Sequence, residues 1–229
     1  MPEIPEKDQE LSFLQHLVEL RSRLLKACLS VFVVLIVLLP FSRHLYETLA
    51  SPLMAQLPEG SSMIAIDVAS PFLTPFKLTL LLAVMISIPV VLYQLWAFVA
   101  PALFKREKRL ARPLLFSSVF LFYAGCAFAY FVVFPLVFGF LTRVAPEGVA
   151  VMTDISKYLD LVMTLFLAFG ITFEVPIATI IMLATGITTA DKLASWRPYI
   201  VVGAFALGMI LTPPDVVSQT LLALPMWLL

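Results

Sequence analysis

The sequence predicts an all-α, polytopic membrane protein of six transmembrane helices with its N-terminus in the cytoplasm. Between Leu161 and Leu183 the chain runs 23 residues with a single charge, Glu174, long enough at about 1.5 Å per residue to cross a bilayer core of about 30 Å. The 229 residues are 61% hydrophobic and only 13% charged, with a mean hydropathy of +1.01. A soluble domain of this size cannot hide that much apolar surface, so lipid must cover part of it. The basic residues, finally, gather on alternate loops, which fixes the direction of insertion.

The N-terminal tail is acidic at Glu3, Glu6, Asp8 and Glu10, and no small-residue cleavage site follows the first apolar run, which ends in Pro40-Phe41-Ser42-Arg43. The run therefore reads as a retained span, not a signal peptide. Ser12 and Gln15 have capping-box spacing and predict a helix start ahead of the membrane. Phe13, Leu14, Leu17, Leu20 and Leu24 then form one apolar face, so this helix is expected to lie along the interface and turn into the first span.

The spans are placed at residues 24–41, 71–100, 113–140, 158–185, 198–211 and 216–229, as one domain over 1–229. The fifth, at 14 residues, reaches about 21 Å and either thins the bilayer or pairs with the sixth. The sixth stops in mid-hydrophobic run, and the expectation is that the natural C-terminus lies beyond it.

Lys7, Arg21 and Arg23 precede the first span and Lys26 lies at its start, Lys105, Arg106, Lys108, Arg109 and Arg112 join the second to the third, and Lys192 and Arg197 lead into the fifth. The other side holds Arg43, Lys77, Arg143 and Lys157. The richer side is cytoplasmic. Two outside loops resemble one another: Pro58-Glu59-Gly60 leads to Asp67, and Pro146-Glu147-Gly148 leads to Asp154. Each predicts a turn, a short extended piece and a helix N-cap. Duplication of a hairpin and coincident turn chemistry both account for the likeness.

The polar candidates each carry two readings. Glu19 and Arg23 stand four apart, as in an ordinary helix ion pair. Glu107 is one acid among five bases, a neutralising surface charge or an acceptor for a guanidinium. In Phe173-Glu174-Val175-Pro176 the proline strips the Thr172 carbonyl of its usual N–H. A protonated Glu174 could serve that loosened backbone, or it marks an intramembrane site. Asp215, after Thr212-Pro213-Pro214, reads as an N-cap for the sixth span with Gln219 one turn on. Two cysteines, Cys28 and Cys126, make no disulfide framework, and His16 and His44 show no ligand spacing, so no metal or other cofactor is expected. Zero net charge argues against nucleic acid.

Taken together, the tracts His16-Leu17-Val18-Glu19-Leu20-Arg21-Ser22-Arg23-Leu24, Ser51-Pro52-Leu53, Gln94 through Pro101 and on to Glu107, Phe173-Glu174-Val175-Pro176, Arg197-Pro198-Tyr199 and Leu211-Thr212-Pro213-Pro214-Asp215 resemble the TatC family, the polytopic core of the twin-arginine protein translocase. The resemblance covers essentially the whole chain. It implies that Glu19 and Glu107, with Arg21 and Phe98 beside them, bind the arginine pair of a signal peptide on folded cargo at the cytoplasmic face. It also implies that Glu174 is an intramembrane polar site facing a concave cavity, and that Met209, Thr212 and Gln219 dock single-span partners of the TatA and TatB kind. Pro52 and Asp215 fall at positions of loop shape. By the same resemblance the protein sits in the cell inner membrane as a non-enzymatic, homo-oligomeric core driven by the proton-motive force. Two other classes are weighed against it. A proton-coupled transporter centred on Glu174 expects more polar groups in facing spans than Thr79, Ser87, Ser117 and Ser118. An intramembrane protease expects a second carboxylate at depth or a Ser/His pair.

Overall fold

The computed structural model describes residues 6–54, 64–99, 111–143 and 154–211, with Gln219, Thr220, Ala223, Leu224 and Trp227 beyond them. Those residues form α1 (Glu6–Leu38), α2 (Ser42–Met54), α3 (Ser70–Val99), α4 (Ala111–Phe128), α5 (Phe134–Arg143), α6 (Ile155–Thr172), α7 (Val175–Ala184) and α8 (Ala190–Leu211). Among the described residues, four stretches are long and apolar enough to cross a membrane: His16–Thr48, Ser70–Phe98, Arg112–Val137 and Ile155–Ala184. The protein is a polytopic, all-helical membrane protein.

The helix expected to lie along the interface and turn does not do so. Residues 6–38 contain neither Gly nor Pro, nothing interrupts the backbone ladder, and α1 runs unbroken through Ser12 and Gln15. The first interruption is the short 3-10 turn Leu39–Phe41, which holds Pro40. From there α2 continues to the far end of the bundle, opposite Glu19.

The remaining interruptions also follow from proline and glycine. Pro135 has no N–H to give Phe131, and the chain widens into a π turn at Ala129–Val133 just before it, where the Phe134 N–H reaches Ala129. The fourth span breaks as anticipated: α6 ends at Thr172, and α7 starts at Val175 with Pro176 in its first turn. Gly186, at φ +70°, stops α7 in the left-handed conformation that glycine adopts at little cost. The fifth helix is longer than its expected span. It begins at Ala190, and Pro198 is accommodated inside it.

The packed centre is α3 against α4 and α6. Leu78, Phe122, Val133, Val137, Leu159, Val162, Leu165 and Phe169 are buried there. Two glycines let α4 and α6 close up. A Cβ on Gly125 would stand 2.5 Å from the Phe169 carbonyl oxygen, and one on Gly170 would stand 2.6 Å from the Phe122 ring. At the far end a polar seam ties α3 to α6. Ser156 Oγ donates to Ser70 Oγ at 2.8 Å and lies 3.1 Å from Thr74 Oγ1, while Lys77 Nζ meets Asp160 Oδ1 at 3.2 Å. The described ends of the two similar loops touch there: Ile64 and Asp154 form a parallel bridge, and the Ile155 N–H donates to the Ile64 carbonyl at 3.0 Å. Asp154 is the N-cap of α6, as expected, but makes no side-chain cap bond. Its Oδ1 instead accepts the Ile66 N–H at 3.5 Å.

Candidate signal-peptide site and intramembrane carboxyl

On α1, His16, Glu19 and Arg23 recur at three- and four-residue spacing and share one face. The ion pair expected from spacing is made. Arg23 places Nε 3.0 Å and Nη2 2.6 Å from Oε1 of Glu19, and both side chains are part-buried. Both nitrogens fall on one oxygen, so Oε2 takes no hydrogen bond from the described residues. One turn earlier His16 stacks on Phe98, with ring centroids 4.2 Å apart and planes at 22°. Phe98 is the penultimate residue of α3, so the stack joins the near ends of α1 and α3 beside a guanidinium-holding carboxylate.

Arg21 is not part of that face. Two residues apart on a helix point to opposite sides, and Arg21 lines a recess of about 380 Å³ on the other flank with Val18, Ser22, Leu25, Lys26 and Leu29. Glu107 lies outside the described residues, as do Thr212 and Asp215. Pro52 lies within α2. Met209 is exposed near the end of α8. Gln219 comes back onto α8 beside it: its Nε2 donates to the Phe205 carbonyl at 3.0 Å, and a Cβ on Gly208 would meet it at 3.3 Å.

Glu174 sits in the break between α6 and α7, where its own N–H bonds to Ile171 and its carbonyl accepts from Ala178. Its Oε2 is hydrogen-bonded to Ser118 of α4, a side chain that is 1% exposed. The other oxygen, Oε1, is buried with no partner among the described residues. Sequence spacing gives no sign of this pairing, since 56 residues separate the two. Nor does it reveal the His16–Phe98 stack.

The family description "Sec-independent protein translocase protein (TatC)" matches residues 15–225 of the chain. The chain belongs to the TatC family. The Sec-independent protein translocase protein TatC of Azotobacter chroococcum mcd 1 is 57% identical over 225 residues, 98% of this chain and 88% of that one. The TatC of Escherichia coli (strain K12) is 58% identical over 214 residues, covering 93% and 83%. A crystal structure of a twin-arginine translocase receptor, TatC, superposes with a TM-score of 0.82 at 37% identity over 93% of each chain. The polytopic helical fold of this chain is thus that of TatC, and TatC is a translocase subunit.

Proposed function

We propose that this TatC-family chain is the receptor subunit of a twin-arginine translocase, and that it reads the arginine pair of signal peptides at Glu19 and Glu107. The observation that carries the reading is the Glu19 carboxylate. It lies one turn from the His16–Phe98 stack, holds one guanidinium in charge-assisted bonds, and has a second oxygen that takes no hydrogen bond from the described residues. A planar guanidinium suits such an acceptor and an ammonium does not. Phe98 supplies the apolar wall, whereas Arg21, on the opposite flank of α1, lies away from the Glu19 carboxylate. The near end then faces the cytoplasm of a cell whose inner membrane holds the protein. Single-span subunits of the TatA and TatB kind dock at Met209, Thr212 and Gln219, several copies assemble, and the proton-motive force drives transport without a catalytic step in this chain. Asp215 shapes a loop on the outer face, whereas Pro52, expected in a loop, lies near the end of α2. Glu174 is the polar point on the path of the apolar segment.

The test is binding of an Arg-Arg signal peptide and its Lys-Lys twin to the protein in nanodiscs, with Glu19→Ala and Glu107→Ala alongside. At least a tenfold preference for arginine, about 1.4 kcal/mol, is expected in the unaltered protein and is lost in both variants. Equal binding of the two peptides, or binding indifferent to both acids, overturns the assignment.

A further inference from the structure

At the far end of the bundle, away from Glu19, α2 crosses the starts of α3 and α6 and leaves a recess of about 330 Å³ lined by Arg43, Tyr46, Glu47, Pro71, Pro75 and Ile155. We propose that this recess is a lipid-headgroup site selective for a zwitterion, with Arg43 taking the phosphate and Glu47 the ammonium.

Depth comes first. No charged residue stands between Lys26 and Arg43, a distance of about 25 Å along a helix. That nearly spans a hydrocarbon core of about 30 Å. Arg43 therefore emerges at the headgroup level of the far leaflet, with Tyr46 at the depth where interfacial aromatic residues gather.

Charge then selects the ligand. Arg43 and Glu47 stand four apart on α2, the spacing at which Glu19 and Arg23 close to 2.6 Å on α1. Here the order is reversed, the acid following the base, which is the weaker arrangement on a helix. The pair does not close, and Arg43 has no ion-pair partner among the described residues. Glu47 has the imidazole of His44 beside it, with Nδ1 4.0 Å away and both side chains largely exposed. Two opposite charges thus line one recess without neutralising each other. An anion alone would face Glu47 and a cation alone would face Arg43, whereas a phosphate tethered to an ammonium satisfies both.

The opposite wall is already in place. Pro71 and Pro75 belong to α3 and Ile155 to α6, and these helices are tied together just behind the recess by Ser156 with Ser70 and Thr74 and by Lys77 with Asp160. A preformed wall lowers the ordering cost of binding.

Native mass spectrometry of the full chain, delipidated in detergent and titrated with phosphatidylethanolamine or phosphatidylglycerol, tests the site with Arg43→Gln and Glu47→Gln. Retention of phosphatidylethanolamine is expected to fall at least fivefold in each variant. Retention of phosphatidylglycerol, an anion without an ammonium, is expected to fall only in Arg43→Gln. Phosphatidylethanolamine retention unchanged in either variant, or both lipids lost alike in Glu47→Gln, overturns the proposal. Soluble phosphoethanolamine distinguishes the source: a membrane lipid is displaced only by large excess, and displacement at equal concentration overturns the lipid assignment. These outcomes are independent of whether signal peptides bind at Glu19.

Discussion

Ser118 and Glu174 are worth more together than either is alone. Truncating one partner of a buried hydrogen bond leaves the other without a bond or water, at a cost of about 1–3 kcal/mol, whereas removing both costs far less. Glu174→Ala is therefore expected to lower stability in detergent by about that amount, Ser118→Ala to do likewise, and the double variant to cost clearly less than their sum. Thermal or denaturant unfolding of the four proteins closes this cycle, and additive losses would contradict the pairing. Glu174 was legible in the sequence because a lone acid in an apolar run is conspicuous. Its serine was not, because hydroxyls are common in membrane helices and nothing local marks which one faces a carboxyl. His16 shows the same limit. It opens one of the tracts that carry the family likeness, yet its ring partner is on another helix.

Between helices, distance of approach decides what can be substituted. Alanine at Gly125 drives a methyl against the Phe169 backbone carbonyl, which cannot move aside without shifting α6. We expect Gly125→Ala to lose about 1–3 kcal/mol. Gly170→Ala should lose less, since the clash is with the edge of a side-chain ring. Gly203 has nothing within 4 Å of its Cβ position, so Gly203→Ala should be neutral or gain up to about 1 kcal/mol through helix propensity. Melting temperatures of the three variants in one detergent rank the effects, and a Gly203 loss as large as that at Gly125 would refute the packing account. Spans were legible at this scale wherever proline or a run of apolar residues fixed them, as at Pro176. The π turn before Pro135 was not, because a proline announces a disturbance in the helix without saying which of several repairs the backbone adopts. The start of α1 was misread for a related reason: a capping pattern at Ser12 and Gln15 matters only where a helix has cause to begin.

For the molecule as a whole, the direction of insertion rests on the asymmetry of basic charge. Single cysteines at exposed Asp67 and Asp191, in a background with Cys28 and Cys126 changed to alanine, test it in intact cells. A membrane-impermeant maleimide is expected to label Asp67→Cys and to spare Asp191→Cys until the membrane is opened; the reverse pattern would invert the topology. The whole-molecule architecture was the most legible level, because alternation of apolar runs and charged loops is written along the chain. What the two similar loops would do was not: their described ends pair at Ile64 and Asp154, a contact set by the assembled helices. The arrangement of α1 also has a bearing on biogenesis. Only 6% of its central stretch is buried, and its chief neighbour is α3, which is not complete until Val99. At translation rates of about 5–20 residues per second, α1 is made several seconds before α3 is complete enough to pack against it. It is the most apolar of the four candidate spans, and so is able to wait: the newborn chain can anchor itself before any of its later helices exists to receive it.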